Sequence, residues 1–140
     1  MTETRLMKDN FFIDSSVALY LLDITDLEKA GIAFTLLKKQ GFISSQVLFE
    51  CMNVCLRKFK YTKQEAIAFS RYLYETSYFQ PENHEVVEQA FIIFEVYMLQ
   101  SYDSKIVASA LEAGCTTLYS EDMQNGLVID GRLTIVNPFV

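Results

Sequence analysis

The sequence predicts an α/β fold: a three-layer α/β/α sandwich around a central, mainly parallel sheet of about five short strands. Three observations lead there. Short, mostly apolar bursts alternate with longer stretches of helical periodicity. Capping or turn residues stand at most of the boundaries between them. A chain of 140 residues with 51% hydrophobic and 21% charged residues has the length and composition to bury a core as one domain, expected over residues 1–140.

Phe11, Phe12 and Ile13 form the first buried strand, ending at Asp14, and Val17, Leu21 and Leu22 mark the helix after it. Asp26 opens a second helix, residues 27–40, stopped by Gly41. Phe42, Ile43 and Ser44 make the next strand, and Ser45 is placed to cap a helix from Gln46 to about Phe59. Thr62 with Glu65 three residues later reads as a capping box, starting the helix that carries Ala66, Phe69, Leu73 and Tyr74. Tyr78, Phe79 and Gln80 form a third strand, closed by Pro81. From Asn83, the apolar positions Val86, Val87, Ala90, Phe91, Phe94, Tyr97 and Met98 recur at helical spacing to about Leu99. A further helix, residues 102–113, ends at Gly114. Residues 115–119 and 133–136 are the last two strands, and the loop 121–132 between them reads as the most irregular stretch.

Composition narrows the function classes. A net charge of −6 opposes nonspecific adhesion to nucleic acid, so such a ligand needs a local basic patch or bound cations. Cys51, Cys55 and Cys115 are an odd set with no CxxC, and the one histidine, His84, is distant and read as a surface residue. Buried thiols in a reducing, cytoplasmic setting are the expectation. Charged Glu3, Arg5 and Lys8 come first, and the apolar run 17–22 is too short for a membrane span or a signal core. Met52, Met98 and the many phenylalanines read as core packing.

Four carboxylates stand at element boundaries: Asp14, Glu50, Asp103 and Asp122. Ligands of parallel α/β sheets gather beyond the carboxyl ends of strands, which suits Asp14 and Asp122, although each could instead serve a turn or cap, Asp122 more readily than Asp14. Asp103 shares a helix stripe with Ile106, Val107 and Ala110, so it is expected to face inward, or else to favour the helix dipole from the first turn. By spacing Glu50 lies with Asn53 and Arg57 on an exposed polar face, although its place one turn into a helix that follows a strand puts it near the crevice rim. Acids brought together repel unless protons or cations offset the charge, and Mg²⁺ suits an all-oxygen set. Neither Asp-x-Ser-x-Ser nor a second Asp at position 16 is present, nor a glycine-rich phosphate loop.

The segments FIDSSVALYLL, ISSQVLFECMNVCLRK, SYDSKIVASALEAGCTTLYSEDMQNG and LTIVNPF together resemble the PIN-domain family, most of all its VapC-type toxin ribonucleases. The resemblance runs from Phe12 to Phe139 and is most specific between Asp103 and Gly126. It implies that Asp14, Glu50, Asp103 and Asp122 hold Mg²⁺ or Mn²⁺, with Ser16 and Ser120 as polar supports and Glu121 as a further acid beside the fourth. It also implies hydrolysis of RNA by metal-activated water, a small antitoxin covering the crevice, and a homodimer. Arg57, Lys58, Lys60, Lys63 and Arg71, interleaved with Phe59, Tyr61 and Tyr72, are a candidate RNA-facing patch, or a solvated basic face. A PIN-like nuclease of RNA processing or DNA metabolism, and a catalytically silent binding module, are the alternatives.

Overall fold

The computed structural model describes residues 9–140, so Glu3, Arg5 and Lys8 lie outside the described residues. Six strands form one sheet in the order β3-β2-β1-β4-β6-β5. They are β1 (Phe11–Ile13), β2 (Phe42–Ile43), β3 (Tyr78–Phe79), β4 (Thr117–Tyr119), β5 (Val128–Ile129) and β6 (Leu133–Val136). All pairings are parallel except β5 with β6. The helices are α1 (Ser15–Ala18, continued by a 3₁₀ turn, Leu19–Leu22), α2 (Leu27–Lys38), α3 (Ser45–Arg57), α4 (Lys63–Thr76), α5 (His84–Val96) and α6 (Ser101–Glu112).

Successive strand residues point to opposite faces, and both Phe12 and Ile13 are fully buried, so helices cover both faces of the central strand. The core runs from these residues through Val17, Ile43, Val47, Val107, Leu118 and Ile135. Among the described residues no helix is long and apolar enough to cross a membrane. Cys51, Cys55 and Cys115 are free and buried, as expected, and burial pushes the Cys115 thiol up to about 12.

The loop 121–132 is more ordered than its sequence suggests. It contains β5, joined to β6 by the three residues 130–132, of which Asp130 (φ 55°) and Gly131 (φ 62°) are both left-handed. Arg132 N–H closes the turn on Ile129 O at 2.9 Å. Asp-Gly is a strong signal for such a turn, because both central residues must adopt positive φ. The two-residue strand before it is too short to show a period, which is why the reading stopped at five strands.

Helix boundaries show further differences. Asp26 caps α2 by accepting Lys29 N–H, but α2 ends at Lys38, and the left-handed residue is Gln40 (φ 64°), not Gly41. A Cβ on Gly41 would stand 2.7 Å from Phe11 Cδ2 and 3.0 Å from the Phe11 carbonyl oxygen, so Gly41 permits close strand approach. The N-cap of α3 is Ser44, one residue before the expected cap, and the Ser45 hydroxyl instead donates to Glu82. His84 is exposed at the start of α5, as expected.

The Thr62–Glu65 capping box of α4 is present in both directions, at 3.1 Å from Glu65 N–H to Thr62 Oγ1 and 2.8 Å from Thr62 N–H to Glu65 Oε1. Thr62→Ala is expected to cost about 1 kcal/mol of stability. Urea denaturation read at its midpoint checks this.

The core-packing reading of the methionines and phenylalanines needs correction. Phe12 is buried, but Phe34, Phe49, Phe79, Phe91 and Phe94 are exposed, Met52 is only half-buried, and Met98 is fully exposed. The stripe of α5 was too wide to face one neighbour: Val86, Ala90 and Ile93 turn inward, which leaves Val87, Phe91 and Phe94 outside.

Candidate functional site: an acidic crevice at the sheet's switch point

The chain leaves β1 toward β2 on one side, while β4 lies on the other, so the order of strands reverses between β1 and β4. That switch point is where a parallel α/β sheet opens a crevice beyond its carboxyl ends. Register decides what stands there. Ile13 pairs with Tyr119, and Asp14 N–H continues the ladder to Tyr119 O at 3.0 Å, so Asp14 and Ser120 emerge side by side.

Asp14 is only 4% exposed. It caps α1 by accepting Ser15 N–H at 2.8 Å, and its second oxygen accepts the hydroxyls of Ser120 at 2.8 Å and Ser16 at 3.2 Å. Burial pushes its pKa up to about 6, the charges of Glu50 and Asp103 add to the rise, and the Ser120 and Ser15 hydrogen bonds oppose it. The sequence left open whether Asp14 was a cap or a site acid; it is a cap whose carboxylate is also coupled to other acids.

The other three acids come from separate elements. Glu50 does not follow its exposed stripe-mates Asn53 and Arg57 into solvent: it is half-buried, accepting Ser15 Oγ at 2.9 Å and Gln46 Nε2 at 3.1 Å. Asp103 sits in the first turn of α6, beside the buried Ile106, Val107 and Ala110, and is itself half-buried. Burial raises its pKa, with Asp122 and Glu50 adding negative charge. Asp122 lies at the exposed rim, its N–H donating to Ser120 Oγ at 3.2 Å. Loss of hydration and the adjacent Glu121 push its pKa up. Asp14 and Asp103 are thus coupled to Glu50, and Asp103 to Asp122, through their charges.

Ser16 and Ser120 both donate to the Asp14 carboxylate. Ser16 Oγ accepts Glu121 N–H at 3.0 Å and lies 3.5 Å from Ser120 Oγ. Glu121 is otherwise engaged. Its two oxygens accept Tyr20 Oη at 2.6 Å and Lys29 Nζ at 2.8 Å. Partial burial alone would raise its pKa, but these two donors together outweigh that and hold it below the ordinary value.

Four contributors escaped the sequence reading: Ser15, Gln46, Tyr20 and Lys29. Gln46 lies one helical turn before Glu50, a spacing that could have flagged it, and its amide also donates to Tyr102 O at 3.3 Å, linking α3 to α6. Tyr20 and Lys29 meet Glu121 across sequence separations of about a hundred residues, which no local pattern encodes.

The candidate basic patch divides. Lys58 and Phe59 line a crevice of about 190 Å³ together with Ser16, Tyr20, Glu121 and Asp122. Arg71 instead lines a separate groove with Phe49, Met52 and Tyr74, and pairs with Glu75 at 3.9 Å. Arg57, Lys60, Lys63 and Tyr72 are exposed, and Tyr61 lies with its ring 6.0 Å from that of Phe59.

The donor set is all oxygen, strongly acidic and partly dehydrated, which fits a hard divalent cation in charge and chemistry. The spacing is wider than a finished shell: among the described residues no three His, Cys, Asp or Glu side chains already close on one point. A cation that keeps several waters, as Mg²⁺ does, suits such spacing.

Comparison with known proteins agrees with the fold. No curated protein sequence matches the chain. Among solved structures it is similar to Mycobacterium tuberculosis VapC20, described as a sarcin–ricin-loop-cleaving toxin, with TM-score 0.66 and 19% identity over 81% of this chain and 90% of that one. It is also similar to a toxin–antitoxin complex from Klebsiella pneumoniae (TM-score 0.68, 20% identity, 92% and 98% covered). A third is DNA-bound VapBC from Salmonella typhimurium (TM-score 0.67, 14% identity, 91% and 97% covered). With the α/β fold shared by these structures and the family model of the PIN domain matching residues 11–124, the chain belongs to the PIN domain family.

Proposed function

We propose that the chain is a Mg²⁺- or Mn²⁺-dependent endoribonuclease, the toxin of a toxin–antitoxin pair. The observation that carries this reading is Asp14, buried at the switch point and pushed to about 6 by burial and by the charges of Glu50 and Asp103. Such an arrangement costs stability unless a proton or cation joins it. Asp14, Glu50, Asp103 and Asp122 would hold the ion; when bound, it supplies activated water and offsets charge on the attacked phosphodiester. Ser120 and Ser16 orient Asp14, while Ser15 and Gln46 hold Glu50 inward.

Lys58 and Phe59, beside Asp122 in the crevice, are the cation and ring of the basic patch best placed for an RNA strand. RNA as substrate draws support from the description of VapC20, and the toxin assignment from the toxin–antitoxin complexes. An antitoxin or a second copy has apolar surface available, including a groove lined by Val87, Ala90, Phe91, Phe94, Tyr102 and Lys105, whose Tyr102 adjoins Asp103.

Purified protein is expected to cut RNA with Mg²⁺ or Mn²⁺, and to lose activity in chelator while its far-ultraviolet circular dichroism is unchanged. Asp103→Asn is expected to lose about 100-fold or more of that cleavage, since an amide binds the cation poorly. Undiminished cleavage by the folded variant would overturn the assignment. A silent binding module would show no divalent-ion binding on titration.

A further inference from the structure

We propose that Lys29 and Tyr20 withhold Glu121 from the acid cluster, so that a bound cation meets four carboxylates and not five. The inference deepens the metal-dependent reading above and rests on it. Glu121 lies between Ser120 and Asp122, and its backbone is tied to the crevice by the 3.0 Å bond from its N–H to Ser16 Oγ. Its position therefore borders the same crevice as Asp122. Each of its carboxylate oxygens nevertheless already accepts a hydrogen bond, from Tyr20 and from Lys29.

Lys29 Nζ donates to Glu121 Oε2 at 2.8 Å, and Tyr20 Oη donates to Oε1 at 2.6 Å. Lys29 also donates to Tyr20 Oη at 3.3 Å, so the three groups form a closed triangle. The ammonium is seated over two rings, 4.9 Å from the centroid of Tyr20 and 5.2 Å from that of Phe139, and these rings meet edge to face at 4.7 Å. Three distant parts of the chain thus converge to hold one side chain: α2, the 3₁₀ turn after α1, and the C-terminal segment. One ammonium on one carboxylate offsets the charge of Glu121, whose remaining field still adds to the rise of the Asp122 pKa. Lys29 and Tyr20 are positioning residues on this account.

Mn²⁺ titration calorimetry on the whole chain at low ionic strength tests it without any RNA. Lys29→Met releases an uncompensated Glu121 and is expected to tighten Mn²⁺ binding on the order of three- to tenfold. Glu121→Gln leaves the Lys29 ammonium unpaired beside the site and is expected to weaken binding by a similar factor. The double variant Lys29→Met/Glu121→Gln removes both charges and is expected to return to within about twofold of the parent. Tyr20→Phe, which frees one oxygen of Glu121 and keeps both charges, is expected to move in the direction of Lys29→Met by a smaller factor and supplies a second route should that variant misfold. A folded Lys29→Met with parental affinity, or a double variant that stays as tight as Lys29→Met, overturns the inference while leaving the metal reading intact. Absence of Mn²⁺ binding by the parent protein overturns the metal reading itself, and this inference with it.

Discussion

Asp14→Asn is expected to abolish cleavage and at the same time to make the metal-free protein more stable. Asp14 is 4% exposed, and its pKa rises from 3.8 to about 6 on folding. The folded state therefore binds the proton more tightly than the unfolded chain. Stability is greatest below about pH 4, falls as pH rises toward 6, and stays lower above it, by about 3 kcal/mol for the full shift. Asparagine removes the charge and keeps the shape, and the Ser16 and Ser120 hydroxyls can rotate to accept from its amide. In chelator at pH 7.5 the variant is expected to unfold several degrees above the parent, a gain that shrinks toward pH 4. Added Mg²⁺ or Mn²⁺ should stabilise the parent and leave the variant nearly unmoved, because only a group that binds the folded state shifts the midpoint. Differential scanning fluorimetry across pH, with and without ion, checks both signs. A variant less stable than the parent at pH 7.5 would show that Asp14 serves the fold through its cap and not the site through its charge.

Gly41→Ala is the second large effect, and it acts on the same strand from the opposite end. The added methyl would meet the Phe11 ring and the Phe11 carbonyl oxygen. Phe11 cannot simply swing away, since its ring packs edge to face on Tyr119 at 5.6 Å and its strand pairs with both β2 and β4. A cost of about 1–3 kcal/mol is expected, the usual range for overpacking a close-packed contact. Displacement of β1 would carry Asp14 with it, so cleavage should fall along with the denaturation midpoint. Gly31→Ala, at a helical position where the added atom meets nothing within 4 Å, is the control and should be neutral or slightly stabilising.

Much of the fold was legible because it depends on local chemistry. The capping box at Thr62 and Glu65, the caps at Asp26 and Asn83, and the apolar bursts at 11–13 and 133–136 each follow from bonds or burial within a few residues. Elsewhere the local pattern is ambiguous. The α5 stripe offers more apolar residues than one neighbour can cover, and the Asp130-Gly131 turn follows a strand of only two residues.

The site was legible in a different degree for each acid. Asp14 is tied to a strand end and Asp103 to an inward helix face, so their surroundings could be argued from spacing. Glu50 could not: its helix stripe points to solvent, and only Ser15, thirty-five residues away, and Gln46 hold it inward. Asp122 and Glu121 are neighbours in sequence with opposite fates, one coupled by charge to Asp103 and the other paired with Lys29.

Sequence by itself determined the alternation of strands and helices, the identity of the acids and their places beside element ends, because periodicity and capping are short-range properties. Tertiary structure decided which strands became neighbours, and hence that Asp14 stands against Ser120 with Glu50 and Asp103 close enough to raise its pKa. It also decided that Glu121 answers to Lys29 and Tyr20. Charge coupling and burial depend on distance through space, and the chain brings those distances into being only when β1 and β4 pair across more than a hundred residues.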